Sequence, residues 1–348
     1  MNIWNRLKEN KPYYIADIGA NHDGDIDRAF RLIELAKESG AHAAKFQNFK
    51  ADTIVSDYGF KHLKSKTHQS GWKKSVHEVY KQAELNLEWT WRLKKHCIKY
   101  DIEYFTSPYD IGVVDLIDDH VELYKIGSGD ITWLEMQTVI AKKNKPVLLA
   151  TGASNIDDVE RAVNNILNTN KKLVIMQCNT NYTVEQDKYR FVNLNVLDDY
   201  KKRFPGVPLG LSDHTIGIAT VLGAIAKGAF IIEKHFTDDN TREGPDHAFA
   251  MNPDNWRQMV SLGDEIALAL GDGVKRIEPN EIDARIVQQR SMRAARNIRE
   301  GEILEEKDVI ALRPCSDQAI RPYEAHLIIG KPVKVDLHKG QEILKYML

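Results

Sequence analysis

The sequence predicts a (β/α)8 barrel followed by a small, mainly β module. Eight short apolar runs recur through the first part of the chain, each separated from the next by a helical pattern. The runs are continuous rather than alternating, as in parallel strands covered on both faces. The alternation then stops at a Gly/Pro/charge-rich break after Leu270. Eight units before that break suit a barrel of roughly 250 residues better than a doubly wound sheet. ADIGANHDG, after the first run, also lacks the G-x-G-x-x-G spacing of a dinucleotide-binding turn.

The strand runs are Tyr13–Ile18, Ala41–Gln47, Glu103–Ser107, Leu123–Ser128, Pro146–Thr151, Leu173–Cys178, Val207–Ser212 and Phe230–Phe236. Asp25–Ser39 places Ala29, Leu32, Ile33, Leu35 and Ala36 close to helical spacing, and Gly40 follows as a stop. Leu85–Lys99, Ile156–Leu167, Leu194–Phe204 and Ile218–Lys227 show similar patterns. Between Lys50 and Glu84 the pattern lapses into a polar insert, which on a barrel is a functional or mobile segment. GDGVKRIEPNEID marks a linker. The expected boundaries are a barrel over 1–272, a linker over 273–288 and the small module over 289–348. In that module NIREGEIL (Asn297–Leu304) is weakly echoed by DLHKGQEIL (Asp336–Leu344).

Forty-eight Lys+Arg against fifty Asp+Glu give a net charge of −2, which excludes the basic excess of a dedicated nucleic-acid binder. From Arg285 onward the chain has 12 Lys+Arg and 9 Asp+Glu, so the module is near +3 and the remainder near −5. No apolar run approaches the roughly 18 to 20 residues of a membrane span. MNIWNRLKEN carries no apolar leader, and three widely spaced cysteines, Cys97, Cys178 and Cys315, suit a reducing cytoplasm.

In such a barrel the chemistry lies at the C-terminal ends of the strands, and unusual residues fall there almost every time. In order they are Asp17, Asn21 and His22; Lys45 and Gln47; Thr106, Ser107 and Tyr109; Lys125, Ser128 and Asp130; Thr151 and Ser154; Gln177, Asn179, Thr180, Asn181 and Tyr182; Ser212, Asp213 and His214; and Glu233, Lys234 and His235, followed by Asp246 and His247. Lys45 and Lys125 lie inside apolar strands, where an unpaired ammonium is expensive. Either each pairs with a barrel carboxylate such as Asp17 or Glu233, or the two hold a small phosphorylated or carboxylated substrate with the hydroxyls of Ser107, Ser128, Thr151 and Ser212. His214 and His235 close adjacent strands. They are either hydrogen-bonded core imidazoles or, with Glu233 and Asp246 nearby, a divalent-metal site with open positions. His with oxygen ligands also suits Mn²⁺ or Fe²⁺, so zinc is not singled out.

Taken together, IADIGANHDG, AAKFQNFKA, FTSPYD, YKIGSGD, LLATGAS, LGLSDHT, IIEKHFT and GPDHAFA resemble the N-acetylneuraminate (sialic acid) synthase family. RSMRAARNIREGEIL, ALRPCSD and YEAHLIIGK resemble its C-terminal antifreeze-like (SAF) domain. The resemblance implies a TIM barrel plus SAF domain that condenses phosphoenolpyruvate with an N-acyl hexosamine, releasing phosphate and a nine-carbon 2-keto acid. It implies a divalent metal, Mn²⁺ or Mg²⁺, held by His214 and His235, and a domain-swapped homodimer. By position it assigns Lys45, Ser107, Lys125, Ser128 and Ser212 to the phosphate and carboxylate. It assigns Glu233 to the reacting water, and Asp246 to metal-bound water or a sugar hydroxyl. Asp17, Gln47 and Tyr182 fall to the sugar, with Tyr109, Thr180 and Asn181 lining the substrate site. Arg313, otherwise a surface arginine, would reach the N-acyl group of the acceptor from the partner's tail.

Four departures touch substrate-facing positions. Asp17 stands where the family has a glutamate, and QCNTNYT stands for HCTxxYP. Ala150 replaces a common serine, and RPCSDQAIRP replaces a glycine-rich RPGxG. These leave the acceptor open between N-acetylmannosamine, its 6-phosphate and a 2,4-diamino sugar of the legionaminic or pseudaminic type. Two other readings are a seven- or eight-carbon sugar-acid synthase, which the tail argues against, and a non-enzymatic sugar- or ice-binding protein, which the Lys, His and Glu set argues against.

Overall fold

The structure, a computed structural model, describes residues 3–64, 69, 72–182 and 186–348. Residues 65–68, 70 and 71 of the insert, and Thr183 at the end of QCNTNYT, lie outside the described residues. The chain forms two compact units, Met1–Gly271 and Asp272–Leu348.

The first unit is a closed barrel of eight parallel strands in chain order. They are β1 (Tyr13–Asp17), β2 (Ala43–Asn48), β3 (Glu103–Pro108), β4 (Tyr124–Ile126), β5 (Val147–Ala150), β6 (Leu173–Cys178), β7 (Leu209–Asp213) and β8 (Ala229–His235). Each pairs with the next, and β8 returns to β1. This is the predicted TIM barrel. The largest difference is β4, shorter than expected because the chain turns at Gly127 into a 3₁₀ turn, Ser128–Asp130. That turn carries Ser128 and Asp130 out of the strand and up to the barrel mouth.

Helices join the strands for local reasons. Ile26–Glu38 starts where the Asp25 side chain accepts from the Asp27 and Arg28 N–H groups, and the chain leaves it through Gly40 at φ +93°. Its buried face is Ala29, Leu32, Ile33 and Ala36. Ile156–Leu167 opens on a reciprocal capping box between Asn155 and Asp158. Thr90–Lys99, Ile111–Ile117, Leu134–Lys142, Val196–Arg203, Ala219–Ala226 and Pro253–Ala269 complete the ring. The polar insert is not structureless. It contains helices Ala51–Ile54, Asp57–Lys61 and Val76–Ala83, the last two capped by Ser56 and Ser75.

The second unit pairs β9 (Ser291–Ala294) antiparallel with β10 (Val309–Leu312) around its own core, which includes Met292, Ile298, Leu304, Ile328, Leu337 and Ile343. The two echoed segments meet. Ile298 and Leu337 exchange N–H···O bonds at 2.9 and 2.8 Å, and Gly301 and Gly340 take φ +83° and +84° at matching turns. The expected linker holds a 3₁₀ turn, Pro279–Glu281, and a helix, Ile282–Gln288, because Pro279 sits at the start of a turn where its missing N–H costs nothing.

Pro253–Ala269, the last helix of the ring, packs on β1 at one tight point. A Cβ on Gly263 would lie 2.2 Å from the Tyr14 hydroxyl, which itself donates to Asp264 Oδ1 at 3.1 Å. Alanine gains about 1 kcal/mol of helix propensity over glycine, but overpacking costs about 1–3 kcal/mol. Gly263→Ala is therefore expected to lower the thermal midpoint, and Tyr14→Phe in the same chain to recover part of the loss.

Candidate active site

Side chains alternate across a strand, so Glu233 and His235 of β8 face the barrel interior while Lys234 faces outward. Lys234 is buried against Asp213 Oδ2 at 2.6 Å and the Thr215 carbonyl at 2.7 Å. It ties β8 to the end of β7 and takes no part in the interior. Register brings the inward groups together: Asp17 lies opposite Lys45 on one side and His235 on the other, and Ser212 lies opposite Glu233.

The two inward lysines share two carboxylates. Lys45 Nζ is 2.6 Å from Asp17 Oδ2 and 3.7 Å from Glu233 Oε1. Lys125 Nζ donates to the same Glu233 oxygen at 3.0 Å, and the Ser212 hydroxyl does so at 3.1 Å. Each of the two ammonium groups thus has a barrel carboxylate beside it. Burial pushes the Glu233 carboxyl up, but Lys125 and Lys45 outweigh it and hold the group at about 2. Burial pushes the Lys45 ammonium down, and Asp17 and Glu233 more than reverse that. The four charges sum to zero. Glu233 Oε2 and Asp17 Oδ1 are buried with no hydrogen-bond partner in the described structure, so acceptor capacity is left over.

The rings of His214 and His235 lie 5.4 Å apart. Burial and the neighbouring His235 push His214 down to about 3, so its imidazole is neutral. Its Nδ1–H donates to the Asn179 carbonyl at 2.9 Å, which leaves Nε2 with a free lone pair. His235 Nδ1 is buried without a hydrogen bond, with Asp246 Oδ2 3.7 Å away. Among the described residues no group of three or more His, Cys, Asp or Glu has metal-holding geometry. The ring nitrogens of His214 and His235 that lack hydrogen bonds are the donor type that a divalent ion takes.

These groups line a cavity of about 360 Å³ together with Asp17, Gln47, Tyr109, Ser128, Tyr182 and Asp246. Gln47 Nε2 donates to Asp17 Oδ2 at 3.2 Å, and Tyr182 meets His214 edge-on at 4.5 Å. The Ser128 hydroxyl accepts from the Gly152 N–H at 2.9 Å. Five predicted residues are not among the cavity's lining. The Thr151 hydroxyl donates to the Met176 carbonyl and accepts from Tyr200, each at 3.0 Å, and so is spent in the barrel wall. Ser107 is buried, its hydroxyl without a partner. Thr180 packs its methyl over Gly152, where a Cβ would lie 2.6 Å away. Asn181 is exposed, its N–H on the Asn179 side chain. Arg313 belongs to the second unit.

Sequence reasoning gave no role to Asp130, which lines the cavity and which burial pushes up to about 6. Its place at a strand end in KIGSGD was the available signal. The insert, expected from the sequence to be a functional or mobile segment, supplies the outer wall, but which of its residues do so, Ile54, Val55, Phe60, Trp72 and Tyr80, was not legible. Scattered singly through polar sequence, these had no periodicity to betray them.

Residues 32–275 match the model of the NeuB family, and residues 289–348 match that of the SAF domain. The chain is 34% identical to the N,N'-diacetyllegionaminic acid synthase of Campylobacter jejuni, over 96% of this chain and 99% of that protein. It is 29% identical to the N-acetylneuraminate-9-phosphate synthase of Homo sapiens, over 97% and 92%. The crystal structure of N-acetylneuraminic acid synthetase from Leptospira borgpetersenii superimposes with a TM-score of 0.69 at 28% identity, over 79% of this chain and 90% of that one.

Glu233→Gln leaves two buried ammonium groups with one carboxylate. Breaking a buried pair costs about 3–5 kcal/mol, so the variant should unfold at a lower temperature at pH 7, and phosphate should restore more of its stability than it adds to the wild type. Because the folded carboxyl is held below its ordinary 4.5, its contribution is present above pH 4.5. The gap between the two proteins should therefore close as pH falls from 4.5 toward 2.

Proposed function

The chain belongs to the NeuB family, and on that premise we propose that it joins phosphoenolpyruvate to the open-chain aldehyde of an N-acyl amino sugar. The products are a nine-carbon 2-keto acid and phosphate. The observation that carries this reading is the pair of buried ammonium groups, Lys45 and Lys125, in one cavity with the Ser128 and Ser212 hydroxyls and two imidazoles. Asp17 and Glu233 balance the two lysines, and Asp130 and Asp246 line the same cavity. With a divalent cation at His214 and His235, these donors suit a phosphate monoester that also bears a carboxylate.

His214 and His235 would hold that ion, Mn²⁺ or Mg²⁺, and the chemistry it supplies when bound is Lewis-acid polarisation of a carbonyl. The remaining work falls to the chain. Lys45, Lys125, Ser128 and Ser212 bind and orient the anion, with the buried Ser107 hydroxyl behind them. The enol carbon forms the new C–C bond to the aldehyde carbon. Water adds to the carbon bearing the phosphate, and phosphate leaves as the C–O bond breaks. Glu233 uses Oε1 on Lys125 and Ser212 and keeps Oε2 unspent. Held at about 2, it is a weak base at neutral pH, so its role is to orient the water rather than to take its proton. Asp246, Asp17, Gln47, Tyr109 and Tyr182 line the acceptor side. Thr180, Asn181, a homodimer and a reach of Arg313 toward the acceptor of its partner rest on the resemblance alone.

The acceptor is further narrowed by the wall of the cavity. Its outer part is Ile54, Val55, Phe60 and Trp72, and among the described residues its lysines and arginines are Lys45 and Lys125. That composition favours an uncharged acceptor with apolar acyl or deoxy substituents, such as a diacylated 2,4-diamino sugar, over a 6-phosphate.

Phosphate release from phosphoenolpyruvate with Mn²⁺ and a panel of amino sugars tests the reading. Turnover is expected with at least one N-acyl sugar, and more with a neutral diacylated acceptor than with a 6-phosphate. No release with any of them would sink the proposal. His214→Ala and His235→Ala should each abolish turnover in a folded protein, and Arg313→Ala should raise the acceptor KM.

A further inference from the structure

The loop after β1, with the sequence Asn21-His22-Asp23-Gly24, does not line the cavity. We propose that Asp23 and His247 form a clasp that positions Asp246 against His235, an inference that rests on the roles given to those two residues above.

His247 is completely buried, and its ring is held at both nitrogens. Nε2 lies 2.9 Å from Asp23 Oδ1, and since a carboxylate only accepts, the N–H donates. Nδ1 lies 2.7 Å from the Thr237 hydroxyl. The backbone carbonyl of His247 accepts from Asn240 Nδ2 at 2.9 Å. Asp23 is fixed in turn. It stands at φ +52°, a conformation aspartate tolerates better than most residues, and takes Arg242 Nε at 2.8 Å and Arg28 Nε at 3.1 Å. The loop after β8 is thus fastened to the loop after β1 at His247.

The preceding residue, Asp246, is delivered to the cavity by that fastening. Its Oδ2 sits 3.4 Å from the Ala20 N–H and 3.7 Å from His235 Nδ1. Gly19 makes room for it, since a Cβ there would lie 3.0 Å from the same oxygen. The same loop holds His235 from the other side, because Asn21 Nδ2 donates at 2.9 Å to the carbonyl of Phe236, the next residue along. Asp23 faces outward onto two arginines and is a quarter exposed, so a change there reaches the cavity through His247 and Asp246. A displacement of about 1 Å at a reacting group is enough to cost about 10²-fold.

The test compares Asp23→Asn, Asp246→Asn and the double variant of the full chain. It reads the ring-nitrogen NMR signals of His235 and His247, kcat and KM, and thermal unfolding. Asp23→Asn should perturb the His235 ring as Asp246→Asn does. It should lower kcat by about 10- to 100-fold, the range for partners that orient ligands from outside, with KM for phosphoenolpyruvate unchanged. In the Asp246→Asn chain it should add less than about two-fold, because coupled sites are not additive. An unperturbed His235 ring, or the same fall in kcat in both backgrounds, overturns the clasp and leaves only a structural tie. If Asp23→Asn does not fold, Thr237→Val loosens the same ring from its other nitrogen and is judged by the same outcomes. A wild type that releases no phosphate removes the synthase reading, while the NMR comparison still decides the clasp.

Discussion

Two ammonium groups cannot lie among aliphatic barrel strands unless carboxylates lie with them. Lys45 and Lys125 are each nearly excluded from solvent, and Asp17 and Glu233 are the groups that make this possible. Desolvating four charges is costly, and their mutual attraction offsets that cost only with good geometry and further hydrogen bonds. A barrel that needed only to fold would place aliphatic residues there. The arrangement is balanced at zero charge and keeps two carboxylate oxygens unspent, which makes it sensitive to any anion or cation that enters.

The parallel barrel makes the cluster possible. Register sets β1 between β2 and β8, so Asp17 faces both Lys45 and His235. Strand alternation then sends every second residue of IIEKHF inward and the rest outward. Lys234 therefore becomes a structural cation bound to Asp213, whereas Glu233, one residue before it, becomes a cavity carboxylate. Three buried lysines of similar appearance thus divide into two kinds by pleat alone. Outside the strands, paired loops finish the task, as the Asp23–His247 contact shows.

Much of the site was legible because a barrel exposes its chemistry at known places. Once eight strands are recognised, the polar residue ending each of them is a candidate, and Asp17, Lys45, Lys125, Ser212, His214, Glu233 and His235 converge on one cavity. Asp130 was visible at its strand end but silent, since a carboxyl raised by burial cannot be told in sequence from an exposed one. The insert was harder. Its helices are short and held by caps at Ser56 and Ser75, and the apolar residues it contributes to the cavity wall follow no period.

By itself the sequence determined the strand–helix alternation, the closed eightfold barrel, the small second module and the identity of most polar groups facing the cavity. These follow from local patterns: continuous apolar runs, capping residues, and polar residues at strand ends. Tertiary structure decided which charges meet. Pairing of Lys45 with Asp17 and sharing of Glu233 Oε1 by Lys125 and Ser212 join positions on different strands, and the approach of Asp246 to His235 depends on how the loop after β8 closes. The reason is physical: a buried charge is defined by its partner, and partners are chosen by register and loop closure, neither of which any stretch of sequence contains.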